Sequence, residues 1–305
     1  MKNNGHGQAH AKLILIGEHA VVYGHPGISL PFLPLKVEVQ VTSSQEDYLI
    51  STLYQGPMAS LPSELLFISF LVDHLRSLLK FGPLEMVINN TIPSSAGMGS
   101  SAAISGAIVE AIYDFAELPL DSKLRFEHTQ LAEKLVHGSA SGIDALTTAS
   151  TNGWYFIKGK EPEPIKVILP AFLVVAHTGI KGSTKEAVGK VAKLFTQNLA
   201  QGHLESIGLM SLLMKEAIEK KEIDDVARLM NQTQFHLQEL GVSHPIIDEM
   251  VMDALQLGAL GAKLTGGGLG GSLIVLVDNH QIAEQIMHRY QHQYGKDVWL
   301  MDLRS

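Results

Sequence analysis

Three clusters of residues in this chain are of types that can do chemistry. The first is the run Pro93, Ser94, Ser95, Ala96, Gly97, Met98, Gly99, Ser100, Ser101, Ala102 and Ala103, in which almost no side chain is large enough to build a core. A helix begins with backbone N–H groups that lack an intrahelical partner, and its aligned peptide dipoles put partial positive charge there. A small-residue turn that enters a helix can therefore hold phosphate. Gly97 and Gly99 carry no Cβ to keep a ligand away, while Ser100 and Ser101 add hydroxyls that can cap the helix, donate to a phosphate oxygen or ligate Mg²⁺. Taken alone, the run fits a glycine-serine turn with a serine cap equally well.

The second cluster flanks the apolar segment KLILI at 12 to 16, with Lys12 at its start and Gly17-Glu18-His19 at its exit. Functional side chains often sit at strand ends, although a solvated strand start and a polar turn would look the same. The third is AEKLVHGSASGIDA at 132 to 145. Glu133 falls on a helix, Gly138 to Gly142 form a turn, and Asp144 opens the next short helix. Each acid alone also reads as surface or helix-terminus charge, but together they offer one metal ligand and one proton acceptor on either side of a glycine turn. Further on, Lys181 and Thr184 lie just before a helix for which Ser183 is the expected cap.

Two familiar phosphate motifs do not apply. The Walker pattern requires a lysine directly after its last glycine, and Ser100 occupies that place. The segment GGGLGG at 266 to 271 matches the dinucleotide glycine pattern, but the strand-like SLIVLVD follows it where a helix is required. The chain has 14 histidines and no H-E-x-x-H or comparable metal spacing.

The elements that must carry these clusters mix strands and helices without a regular βαβ rhythm. Strands are predicted at 12 to 16 and 35 to 43, the second from the alternation of Leu35, Val37, Val39 and Val41. A helix is predicted over 61 to 81, stopped by Gly82-Pro83, then a strand at 84 to 91 and a helix from 99 to 115. The small-residue run thus lies on a strand-to-helix turn. Helices at 122 to 137 and 142 to 150 and strands at 153 to 158, 165 to 170 and 171 to 179 follow, before a helical stretch over 183 to 258 with Pro245 opening its last helix. Strands at 262 to 265 and 272 to 278, a helix at 280 to 294 and a strand at 297 to 303 complete an α+β pattern. The shift in composition near 165 to 180 predicts two domains, 1–170 and 171–305.

With 305 residues, 46% hydrophobic and 18% charged, the chain can bury a substantial core. Its formal net charge of −8 and the lack of any dense Lys/Arg run argue against nucleic acid as a partner. The absence of cysteine excludes disulfides and thiolate metal sites. The longest apolar runs are too short to span a bilayer, and the polar segment 1 to 11 does not read as a signal peptide. A cytoplasmic protein with no membrane partner is the expectation.

In order along the chain, KLILIGEHAVVYG (12 to 24), PSSAGMGSSAA (93 to 103) and KLTGGGLGG (263 to 271) resemble the three motifs of the GHMP small-molecule kinases. The resemblance implies a two-domain α+β fold, with an N-terminal domain like the second domain of ribosomal protein S5 and a ferredoxin-like C-terminal domain. Within the family, GEHAVVYG, HGSASGIDA (137 to 145) and TGIKGSTKEAV (178 to 188) resemble the members that phosphorylate mevalonate. Galactokinases instead carry Asp-Tyr after Gly-Glu-His, and homoserine kinases lack the aspartate base.

The resemblance implies specific roles. Residues 93 to 103 would wrap the phosphates of ATP, the co-substrate, and Ser101 and Glu133 would ligate Mg²⁺. Asp144 would be the catalytic base with Lys12 beside it, accepting the proton of the primary alcohol. Glu18, His19 and Thr184 would face mevalonate, with Gly266 to Gly268 on the phosphate side. Some family members have an arginine two residues before the threonine, where this chain has Gly182. A homodimer is implied by relatives. A related ATP-consuming decarboxylase and a non-catalytic sensor are the competing readings; the spacing of Glu133 and Asp144 argues against the first, and the presence of Asp144 and Lys12 against the second.

Overall fold

The computed structural model describes residues 2–137 and 141–304. In chain order the elements are β1 (Asn4–Ile16), β2 (Pro26–Ser43), β3 (Tyr48–Ser51), β4 (Gln55–Pro57), α1 (Leu66–Leu79), β5 (Leu84–Asn90), α2 (Ser100–Ala116), α3 (Ser122–His137), α4 (Ile143–Thr147), β6 (Gly153–Ile157) and β7 (Glu163–Ile165). There follow β8 (Phe172–His177), α5 (Thr184–Thr196), α6 (Gln201–Lys220), α7 (Ile223–Glu239), α8 (Pro245–Gln256), β9 (Gly261–Thr265), β10 (Ser272–Val277), α9 (His280–His292) and β11 (Asp297–Asp302). Short 3₁₀ turns at Ala20–Tyr23, Met58–Ser60 and Ser63–Leu65 complete the α+β pattern.

The chain folds into two compact units that interleave along the sequence. One comprises Met1–Lys12, Leu33–Ile92 and Gly99–Thr151, and the other Leu13–Phe32, Pro93–Met98 and Asn152–Ser305. In the first, β4, β3, β5 and the second half of β2 lie side by side, with β3 parallel to β5 and β5 antiparallel to β2. Leu35, Val37, Val39 and Val41 are buried and Lys36, Glu38 and Gln40 exposed, the two-residue period expected of a sheet covered on one face. Helices α1, α2 and α3 pack together. Helix α2 is buried almost all round, which is why its sequence is mainly Ala, Ile and Val.

The first half of β1 departs from the expected polar terminus, because the strand begins at Asn4. Gly5, Gly7, Ala9 and Ala11 face inward, and a Cβ on Gly5 or Gly7 would lie 2.2 Å from Ala111 O or 2.1 Å from Ala107 O on α2. Here the inward face is built from small residues, so that strand backbone and helix backbone touch. The expected 61 to 81 helix begins at Leu66, after two 3₁₀ turns. The short pair β3 and β4 was not anticipated. In the second unit, the strand expected at 165 to 170 does not form; a short strand, Glu163–Ile165, ends where it was expected to begin, and Pro164, which cannot donate to a ladder, suits its edge position.

The second unit holds an antiparallel sheet ordered β11-β8-β10-β9, together with α5 to α9. The first part of β2, Pro26–Ser29, pairs with β6, which pairs with β7. Strand β9 is at the sheet edge, and α7 satisfies its outward backbone: Asn231 Oδ1 accepts from Ala262 N at 2.9 Å and Gln234 Oε1 from Leu264 N at 2.9 Å. Among the described residues no helix is long and apolar enough to cross a membrane.

Candidate active site

Lys12, Ser101, Glu133 and Asp144 come together in the first unit. Lys12 ends the part of β1 that belongs to this unit, only 3% of its side chain is exposed, and its Nζ lies 3.0 Å from Asp144 Oδ1. Asp144 stands in the first turn of α4 with 32% of its side chain exposed, so the buried ammonium holds one oxygen of an accessible carboxylate. Glu133, on α3, is 2% exposed. Burial pushes its carboxyl up to about 7, repulsion from Asp144 adds to the rise, and a hydrogen bond from Ser101 and the charge of Lys12 oppose it.

Ser101 is the second residue of α2. The cap of that helix is Gly99 in a left-handed conformation, with no side-chain hydrogen bond, so the serine-capped turn is not what forms. Ala103 N takes the first intrahelical bond, to Gly99 O at 2.9 Å, and the first turn directs its N–H groups out of the N-terminal end. A Cβ on Gly99 would lie 2.9 Å from Lys12 Cγ, so glycine is what lets the loop close over the lysine stem. Asn90, which sequence reasoning missed, donates from Nδ2 to Ser100 Oγ at 3.1 Å while its Oδ1 accepts from Ile92 N at 2.8 Å.

The donor set suits Mg²⁺. Ser101 and Glu133 offer hard oxygens already hydrogen-bonded to one another, and the repulsion between Glu133 and Asp144 is of the kind a divalent cation relieves. Mg²⁺ is commonly held by one or two protein oxygens plus phosphates and waters. Among the described residues there is no group of three or more His, Cys, Asp or Glu of the kind an all-protein cage would need.

The other expected residues gather in the second unit around the loop after β9. His19 Nε2 lies 2.9 Å from Gly267 O, which can only accept, so the proton sits on Nε2. Burial lowers the His19 pKa to about 4, against a smaller rise from that bond, and the imidazole is neutral at physiological pH. A Cβ on Gly267 would lie 2.8 Å from Thr184 Oγ1, which puts Thr184, the first residue of α5, against the same loop. Ser183 caps α5, accepting from Glu186 N at 3.2 Å. Glu18 is fully buried, and Lys263 Nζ donates to its carboxylate. The segment Pro93–Met98 docks here as well, with Gly182 N donating to Ser95 O at 3.0 Å and Gly97 in contact with Thr265 and Gly266. The expected turn at 138 to 142 falls mostly on residues 138–140, outside the described residues.

Models of the GHMP kinases N terminal domain and the GHMP kinases C terminal match residues 67–153 and 214–296. A mevalonate kinase of Pyrococcus horikoshii is 33% identical, over 90% of this chain and 88% of the relative. The crystal structure of mevalonate kinase from methicillin-resistant Staphylococcus aureus superimposes with a TM-score of 0.79 at 29% identity, covering all of both chains. That of the L. major mevalonate kinase in complex with R-mevalonate shares the fold, with a TM-score of 0.81 at 23% identity over 98% of this chain and 96% of the other. The chain belongs to the GHMP kinase family, among its mevalonate kinases.

Proposed function

We propose that the protein transfers the γ-phosphoryl group of ATP to the 5-hydroxyl of mevalonate, giving 5-phosphomevalonate. The observation that carries this reading is the 3.0 Å contact between the buried Lys12 ammonium and the accessible Asp144 carboxylate. Phosphoryl transfer asks little covalent chemistry of a protein, and depends on in-line placement of the acceptor and on neutralising charge as it develops. Asp144 accepts the proton of the attacking alcohol and orients it, while Lys12 fixes the carboxylate rotamer and supplies positive charge from a dry position. The N–H groups at the start of α2, with the rest of residues 93 to 103, hold the phosphates.

Ser101 and Glu133 would hold Mg²⁺, which would supply positive charge to neutralise the phosphates. His19 and Thr184 serve the acceptor, while Glu18, expected to face it, is fully buried against Lys263. The neutral His19, protonated on Nε2, leaves Nδ1 able to accept a hydrogen bond from a hydroxyl. We extend the reading to a cytoplasmic homodimer. Exposed Leu209, Leu212, Leu213 and Phe235 on α6 and α7 are apolar surface that a second copy could cover, and analytical ultracentrifugation checks the assembly.

An ADP-release assay over mevalonate, phosphomevalonate, galactose and homoserine tests the activity. Mevalonate is expected to be the best acceptor, and faster turnover of any of the other three would overturn the choice.

A further inference from the structure

Lys263 is the one charged residue of β9, and none of its side chain reaches solvent. Its Nζ donates to the Glu18 carboxylate and, at 2.7 Å, to Leu264 O. Glu18 is equally inaccessible. A buried ion pair is poor value as a stabilising device, because desolvating two charges offsets most of their attraction, and an apolar pair of similar volume often stabilises as well. The sheet itself supplies no reason for a lysine here.

What Lys263 touches supplies one. Residues 263 and 265 lie two apart on β9 and so share a face, and Gly267 follows in the loop after the strand. All three hold the segment from Ile14 to His19. Thr265 Oγ1 accepts from Ile14 N at 2.8 Å and donates to Ile14 O at 3.0 Å, Lys263 holds Glu18, and Gly267 O accepts from His19 Nε2 at 2.9 Å. The held segment is strained: His19 has φ 61° and ψ −42°, a region non-glycine residues rarely occupy. Such a conformation persists only where its surroundings over-determine it. On the side toward Gly17, Glu18 is the adjacent residue, and its carboxylate is gripped by Lys263.

We propose that Lys263 is a positioning residue, which by gripping Glu18 fixes the Gly17–His19 corner and so aims the His19 imidazole from the glycine-rich loop at the acceptor alcohol. This rests on the reading that His19 serves the acceptor. It assigns Glu18 the task of orienting its neighbour, in keeping with its full burial.

The test uses the full-length protein and the double variant Glu18→Gln/Lys263→Met, which removes both charges and leaves neither orphaned. Denaturation is expected near the wild-type midpoint, while kcat/KM for mevalonate falls on the order of 100-fold, as for a small misplacement of a reacting group. Lys263→Arg, which keeps the charge, is expected to recover part of the loss. ¹⁵N NMR of His19 without substrate provides an arm independent of activity. The wild type is expected to show one neutral form protonated on Nε2, and the double variant a mixture of tautomers. A double variant with wild-type kcat/KM and an unchanged His19 spectrum would reduce Lys263 to a core residue. If the variants do not fold, a wild-type His19 that is a tautomer mixture overturns the proposal by itself. If the wild type does not phosphorylate mevalonate, the spectra still decide whether the corner is fixed by Lys263.

Discussion

The Lys12 ammonium and the Asp144 carboxylate meet at 3.0 Å across a solvent boundary, the lysine 3% and the aspartate 32% exposed. The arrangement puts a fixed positive charge behind an oxygen that a ligand can reach, which in the proposed mechanism separates positioning from proton transfer. Asp144→Asn keeps the shape and loses the acceptor. Its kcat is expected to fall about 100- to 10,000-fold, the usual contribution of a general base, with ATP affinity nearly intact. Single-turnover kinetics and nucleotide titration check this, and a mild loss of kcat would remove Asp144 from the base role.

Ser101 and Glu133 predict a different signature. Ser101→Ala and Glu133→Gln remove oxygens from the proposed metal site while leaving the acceptor and base in place. The Mg²⁺ concentration for half-maximal rate is expected to rise in both, more for Glu133→Gln because it removes the charge. Saturating Mg²⁺ should restore much of the rate. A Mg²⁺ dependence identical to wild type in both variants would disconnect these residues from the metal.

Gly99 joins the proposed phosphate loop to Lys12 through shape alone. At φ 75° it occupies a left-handed conformation, and an added Cβ would lie 2.9 Å from Lys12 Cγ and 3.2 Å from Cε. Gly99→Ala is therefore expected to push the loop off the lysine stem, raising KM for ATP about tenfold and also lowering kcat, since both partners shift. Steady-state kinetics with varied ATP would detect it, and unchanged constants would mean that the loop and Lys12 are not mechanically linked.

The candidate site was visible in the sequence as a lysine heading an apolar strand and a run of mostly small residues before a helix, but each fitted a plain turn equally well, and the family resemblance is what joined them. Helix α2 was placed within a residue at each end, since Gly99 and Pro119 punctuate it. The first half of β1 was not legible. Its inward face is Gly5, Gly7 and Ala9, chosen to let two backbones approach, so the alternation carries no apolar volume for a pattern search to find. The strand expected at 165 to 170 failed for the opposite reason: its apolar residues were counted, while ladder pairing stops at Ile165. Lys263 lay inside a recognised motif, yet its partner Glu18 is 245 residues away in sequence, and only the folded chain pairs them.

His19 makes stability depend on pH with a definite sign. Its pKa is about 4 in the folded chain, against 6.5 for an unperturbed histidine, so between those values the unfolded chain binds the extra proton and the folded chain does not. The stabilisation is whole above about pH 6.5 and is lost as pH falls toward about 4, at up to about 1.4 kcal/mol per pH unit. Other groups titrate in the same window, so the difference between wild type and His19→Gln isolates this one. Glutamine has an amide N–H that can donate to Gly267 O but no group that protonates in this range. Any constant cost of the substitution, including the strained backbone, shifts the variant's curve without changing its slope. Urea unfolding at several pH values between 4 and 7.5 is expected to give a wild-type stability that falls more steeply toward acid than the variant's. Parallel curves would mean that His19 is protonated as readily in the folded protein as in the unfolded one, and that its imidazole is not the neutral, buried donor to Gly267 that the acceptor site requires.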